Sequence, residues 1–369
     1  MQRERDGDDM AVTALERWTG RLDFAARQSA RVAWYAGHGL VMRRMVNRID
    51  AKHDENGTER AQIVPPSRPV PSMRRLLSDV AGLLARDLAN AEAGFYPLPH
   101  DDAGGLPALL AQSRAFFRDV PEVARRRREQ SHQEVRCEAK DAAGLPRYYM
   151  QNFHYQSGGW LTEESARIYD MQVEVLFSGA ASAMRRQALV PIYRHICGRN
   201  QRDICFADIA TGTGTFLTQL RRAFPRLKIT AVDLSEAYLA KTMHRQSNSH
   251  FVTPLVGKAE ALPIADDALD IATAIFLFHE LPPKIRRQAV RELARTIRPG
   301  GLFVLVDTLQ PGDEPDYDGL LELFPQLFHE PYYGGYLRED LESLFGSAGF
   351  RLESASNAFF SRITSFRRL

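Results

Sequence analysis

Asp203-Ile-Cys-Phe-Ala-Asp208-Ile-Ala-Thr-Gly-Thr-Gly214-Thr-Phe-Leu-Thr-Gln-Leu220 leads through Arg221-Arg222-Ala223-Phe224-Pro225 to Lys228-Ile-Thr-Ala-Val-Asp233. Ile204 to Ala207 is a short apolar run, the pattern of a buried parallel strand. The glycines that follow let the backbone turn sharply and approach a ligand, because no Cβ intervenes. Leu217, Leu220 and Phe224 then recur at helical spacing, and Pro225 ends that helix. Ile229 to Val232 reads as a second strand, and Asp233 closes it.

Strand, glycine turn, helix, strand and acid make a nucleotide-binding half-fold. The acid at the end of the second strand can accept hydrogen bonds from ribose hydroxyls, and it follows the last glycine by about 20 residues. The ligand expected is of adenosine type. A dinucleotide site would carry a third glycine or an alanine after Gly212-Thr-Gly214, but Phe216 and Leu217 stand there. Asp208 precedes the loop instead.

In Asp208-Ile-Ala210-Thr-Gly212-Thr-Gly214 the chain resembles class I S-adenosylmethionine (SAM) methyltransferases, with Ala210 at the first glycine of their acid-x-Gly-x-Gly-x-Gly motif. Gly257-Lys-Ala-Glu-Ala-Leu-Pro263 is similar to the Gly-Asp-Ala-Glu-x-Leu-Pro loop of the ubiquinone/menaquinone-biosynthesis type. Arg298-Pro-Gly-Gly301 before an apolar strand is similar to the turn that follows their core. The resemblance spans about residues 170–369 and implies an α/β fold: a Rossmann-like, doubly wound, seven-stranded sheet. It implies SAM as cofactor, bound by Asp208, Ala210, Gly212, Gly214, Asp233, Leu234, Ala259, Glu260 and Phe276. Lys258 replaces the acid that meets adenine in the family, so Glu260 or the Ala259 backbone is left for that contact. The expected activity is methyl transfer to a small, apolar or aromatic acceptor.

A sulfonium is already a good leaving group, so the protein must mainly align the acceptor and exclude water. His279 and Glu280, past the fourth strand, are the candidate catalytic pair. Each has a plainer reading: His279 as a histidine bonded to backbone that shapes the pocket, Glu280 as a helix-start acid. Tyr155, Tyr332, Tyr333 and Tyr336 are candidates for the acceptor pocket, with Tyr148, Tyr149, His154 and Trp160 placed to reach it from the cap. The alternative for these aromatics is to cement cap to core.

No strand pattern precedes residue 200, so the first part reads as all-helical. Residues 1–71 form a basic helical arm and a Pro-rich linker, 72–160 a helical cap, and 161–369 the SAM-binding domain. Ser72, Thr162 and Ser235 are candidate helix caps. Helices are expected over about 73–91, 106–117, from Pro121 onward, 163–177 and 181–196.

The rest of the composition excludes more than it suggests. Net charge is +2, which argues against nucleic acid as partner, and Arg125 to Arg128 reads as a solvated helix face. Three cysteines without C-x-x-C spacing give no disulfide framework and no zinc signature, so no metal is expected; Cys205 reads as a core residue of the first strand. The N-terminus has no apolar h-region and the longest apolar run is too short for a bilayer, so a cytoplasmic protein is expected. Three other readings remain open: a SAM-binding protein that does not methylate, an NAD-dependent reductase and an RNA methyltransferase.

Overall fold

A computed structural model describes residues 2–54, 63–100, 104–138, 144–247 and 249–369. Seven strands make one sheet: β1 (Cys205–Ile209), β2 (Lys228–Asp233), β3 (Val252–Val256), β4 (Leu269–Ile275), β5 (Ile297–Thr308), β6 (Phe350–Ala358) and β7 (Ser361–Arg368). Their order is β3-β2-β1-β4-β5-β7-β6. All neighbours are parallel up to β5, and β7 is antiparallel to both β5 and β6. The order reverses direction beside β1, so the loops after β1 and β4 face one crevice, where such sheets bind ligands.

The expected half-fold stands as read. β1 leads through Ala210–Gly214 into a helix at Thr215–Ala223, and β2 ends at Asp233. β5 begins earlier than expected, at Ile297, with a register shift before Ile271 of its partner strand. Cys205 is exposed, contrary to the core placement expected of it. It opens the strand ahead of the covered segment, where its N–H donates to Asp270 (2.8 Å).

The N-terminal helices are α1 (Gln2–Asp54), α2 (Met73–Glu92), α3 (Gly105–Glu129), α4 (Glu134–Glu138) and α5 (Glu163–Leu176). Then come α6 (Ala181–Arg186), α7 (Leu189–Ile196), α8 (Thr215–Ala223), α9 (Glu236–Arg245) and α10 (Pro283–Thr296). The chain ends with α11 (Asp318–Leu327), α12 (Tyr333–Tyr336) and α13 (Leu341–Gly346). Ser72, Thr162 and Ser235 cap their helices as expected.

Two helix boundaries differ from expectation. α3 runs unbroken through Pro121, because Ala115, Phe116, Val120 and Ala124 keep one buried face across it. Their burial outweighs the roughly 3 kcal/mol that an interior proline costs. The stretch 181–196 instead splits at Gln187-Ala188. Pro191 lacks the N–H that the Gln187 carbonyl would accept.

The helical part and the sheet share one core. Val80, Leu83 and Tyr96 pack in the same buried cluster as Met184, Ile192, Phe206 and Leu217. Asp87 of α2 is fully buried and pairs with Arg186 of α6 (2.6 Å). The Pro-rich stretch 63–71 is an ordered strap on α11. Val64 donates its N–H to Gln326 (2.8 Å), and Ser67 donates N–H and hydroxyl to Glu322. A Cβ at Gly319 would lie 2.4 Å from the Arg68 carbonyl, so only glycine admits the strap there. Among the described residues, no helix is long and apolar enough to cross a membrane.

Candidate functional site

Asp208 and Asp233 end adjacent strands, and each organises the loop between them. Asp208 accepts the hydroxyls of Thr211 (2.8 Å) and Thr273 (2.5 Å). Asp233 accepts the N–H of Gly212 (2.7 Å) on one oxygen and of Ser235 (2.8 Å) on the other. Burial raises both carboxyls to about 6. Ala210 sits at φ +57 and Gly212 at φ +60, so the loop keeps a left-handed turn even where alanine replaces glycine. Gly214 has the tightest requirement: a Cβ there would lie 2.9 Å from Thr242 of α9.

A cavity of about 780 Å³, counting its open mouth, lies over this loop. Its floor includes Ala210, Gly212, Asp233, Leu234, Gly257, Lys258, Ala259 and Phe276. Its roof is aromatic: Tyr148, Tyr149, Phe153, Trp160, Tyr169 and Tyr238. Phe276, at φ +57, is a strained aromatic on the rim, a conformation bulky residues rarely hold away from functional sites.

The expected cofactor residues therefore fall into two groups. Ala210, Gly212, Asp233, Leu234, Ala259 and Phe276 line the cavity, while Asp208, Gly214 and Glu260 stand outside its lining. Glu260 instead accepts the Tyr148 hydroxyl at 2.8 Å on each oxygen.

The four tyrosines expected at the acceptor also stand outside this lining. Tyr155 donates to Gln130 (3.0 Å), Tyr336 donates to the Thr308 carbonyl (2.9 Å), and Tyr333 packs on Phe324. Tyr332 stacks at a tilt on Phe153 and accepts from Gln151. Tyr155 and Tyr332 link the segment 148–160 to the loop 328–336, while Tyr333 and Tyr336 pack within the α/β part.

His279 and Glu280 follow β4 in a tight turn. His279 is buried and paired with Asp307 through Nδ1 (2.6 Å) rather than with backbone. Although burial opposes the charge, Asp307 holds the imidazole pKa up at about 9. The pairing favours the protonated imidazole. Glu280 does line the cavity. Burial raises its carboxyl well above the ordinary value.

Three contributors had no sequence signal. Asp170 of α5 accepts the hydroxyls of Thr213 (2.6 Å) and Thr215 (2.9 Å) and pairs with Arg245 (2.6 Å), bolting the roof to the glycine loop. Tyr169 precedes it in the roof and lines a second, mostly apolar cavity between α1, α3 and α5. Arg126, expected on a solvated face, is buried, and binds Glu134 (2.5 Å) and Ser157 (2.7 Å).

Residues 206–301 match the methyltransferase domain family. The demethylmenaquinone methyltransferase of Thermotoga maritima is 28% identical over 183 residues, covering 50% of this chain and 75% of the relative. The ubiquinone/menaquinone biosynthesis C-methyltransferase of Geobacter sulfurreducens is 29% identical over 165 residues, covering 41% and 61%. The crystal structure of a SAM-dependent methyltransferase from Aquifex aeolicus aligns at a TM-score of 0.38 and 17% identity, covering 51% of this chain and 92% of that one. Over this region the chain is similar to SAM-dependent methyltransferases, among them enzymes of the ubiquinone/menaquinone-biosynthesis type.

Proposed function

We propose that the protein moves the methyl group of SAM to a small apolar or aromatic acceptor held beneath the helical roof. The observation that carries this reading is the cavity itself, with the glycine loop and Asp233 on one side and six aromatic rings on the other. The residues fit SAM: Asp233 spends one lone pair per oxygen on backbone N–H groups and keeps others for ribose hydroxyls. Lys258 and Ala259 line the same cavity, and we assign the adenine to their side.

SAM, when bound, supplies an electrophilic methyl on a sulfonium that leaves as a neutral thioether. The protein's part is placement and dryness. Tyr148, Tyr149, Phe153, Trp160 and Tyr169 exclude water from the cavity, which strengthens every polar contact inside it. Tyr169 is shared with the apolar cavity lined by Val46, Phe116, Val120 and Val175, and we assign the apolar part of the acceptor to that side. The names of the two relatives point to quinone-like acceptors as the first class to try.

Calorimetry against SAM and S-adenosylhomocysteine, with Asp233→Ala as control, tests the cofactor site. Product analysis with phenolic and quinol acceptors tests transfer. Methylated product with stoichiometric S-adenosylhomocysteine is expected. Binding without any methylated product would turn the reading to a SAM-binding protein that does not methylate.

A further inference from the structure

Three chain segments far apart in sequence bring one titratable side chain each to a single point beside the roof. His154 comes from the turn Phe153–Tyr155, Glu280 from the turn Phe278–Glu280, and Glu330 from the loop between α11 and α12. One ligand atom from each lies within 4.8 Å of the others. A shared ion with metal–ligand bonds of roughly 2.0–2.2 Å holds its ligand atoms roughly 3–3.5 Å apart, so on binding the wider spacings close and the His154–Glu330 pair opens.

The surroundings leave Glu330 and His154 short of partners, whereas Glu280 has His279 Nε2 at 4.0 Å. The Glu330 side chain has no exposed surface, and its contact is an ion pair with His154 Nε2. Beyond that pair, neither Glu330 oxygen and not His154 Nε2 has a hydrogen-bond partner among the described residues. The Trp160 indole N–H, in the same pocket wall, is also buried without one. Phe324 and Phe328 present their edges to the imidazole and supply no polar atom. A buried carboxylate without hydrogen-bond partners is costly, and a bound cation would supply the Glu330 oxygens with the partner they lack.

The imidazole is also held in place at a cost. His154 sits at φ +53 and Tyr155 at φ +57, two consecutive left-handed residues without glycine. The His154 N–H is tied to the His329 carbonyl (3.1 Å), and Arg126 clamps the Tyr155 carbonyl (3.3 Å). Strain of this kind persists where the neighbourhood over-determines it, and it concentrates at ligand clamps.

We propose that His154, Glu280 and Glu330 form a site for one divalent transition-metal ion that presents an oxygen of the acceptor to the methyl-donor cavity. One imidazole and two carboxylates suit borderline ions such as zinc or manganese. Glu280 lines the cavity floor, so the ion adjoins the place where methyl transfer occurs. Cysteine spacing could not reveal such a site, because its ligands form no local motif. The acceptor half of the proposal rests on the methyl-transfer reading; the metal half does not.

The test uses the full chain, stripped with chelator and titrated with zinc or manganese chloride by calorimetry, with bound metal counted per chain. One ion per chain is expected. Glu330→Gln and His154→Ala should each weaken binding beyond the roughly 10–100-fold typical of outer-shell changes. S-adenosylhomocysteine affinity, measured on the same samples, should hold within about twofold in Glu330→Gln, showing a folded donor pocket. No ion bound by wild type, or stoichiometric binding that survives both substitutions, would overturn the metal site. In that case the cluster is a His154–Glu330 ion pair beside a protonated Glu280. Metal binding without methylated product would instead strike the methyl-transfer reading and leave the ion in place.

Discussion

Tyr148 reaches from the helical part of the chain to Glu260, in the loop after β3, and its hydroxyl meets both carboxylate oxygens at 2.8 Å. The contact closes the roof over the Lys258–Ala259 end of the cavity. A hydrogen bond to a charged partner contributes about 1.5–3 kcal/mol, and partial exposure puts this one at the lower end. Tyr148→Phe should therefore weaken S-adenosylhomocysteine binding roughly tenfold while leaving the melting temperature nearly unchanged. Equal affinity in the variant would show that the roof closes without this bond.

Asp233 gives a pH signature. Burial raises its folded carboxyl to about 6, so in the empty protein the ionised form is the costly one. The stability this group contributes is full below the ordinary carboxylate value of about 3.9 and is lost as pH climbs through about 6. Asp208, also raised to about 6, acts in the same direction. Ligand affinity runs the opposite way, because the ribose hydroxyls need an ionised acceptor. S-adenosylhomocysteine should bind more weakly below pH 6, and binding at pH 5.5 should release protons. Calorimetry in two buffers of different ionisation enthalpy reads that release, and Asp233→Asn should abolish it.

Ala210 carries backbone strain that the glycine of the motif it resembles would relieve. A non-glycine residue in the left-handed region costs roughly 1–2 kcal/mol, of which glycine's looser unfolded chain cancels part. Ala210→Gly should stabilise the protein by about 0.5–1 kcal/mol in urea unfolding. A loss of stability would mean that the Ala210 methyl packs well enough to offset its backbone.

Asp87 and Arg186 join the helical part to the α/β part across a fully buried pair, with Tyr96 donating a further bond to Asp87 (2.8 Å). Removing one partner of such a pair costs about 3–5 kcal/mol. Arg186→Ala should lower stability by that amount, and wild type should unfold in one transition, since the two parts share a core. Two separate transitions in wild type would establish an independent cap.

The half-fold from β1 to Asp233 was legible because its information is local. A glycine turn, a helical period and an acid about 20 residues on lie within one stretch and depend on no distant partner. The roof was not legible in the same way. Arg126 looked like one of four solvated arginines, and only the approach of Glu134 and Ser157 makes it a buried anchor. Asp170 carried no motif, since its meaning comes from Thr213, Thr215 and Arg245 in other elements. His279 was named from its place after β4, which holds, but its charge is set by Asp307 on the neighbouring strand. Tyr148, Tyr149 and Trp160 were named from sequence as able to reach the pocket and do line the cavity, whereas Tyr169 gave no such signal.

The strap has a consequence for how the chain is made. Val64 bonds to Gln326 across 262 residues, and Ser67 bonds to Glu322 across 255. At roughly 5–20 residues per second, a ribosome finishes α11 tens of seconds after the strap has emerged. During that interval the Pro-rich stretch has no docking surface. Its two prolines within Ser67-Arg-Pro69-Val-Pro71 and the preceding Pro65-Pro66 keep it extended, and their missing N–H groups deny neighbouring strands a ladder to join. The same residues that lie flat on α11 in the finished protein thus keep the nascent chain from pairing with itself while it waits.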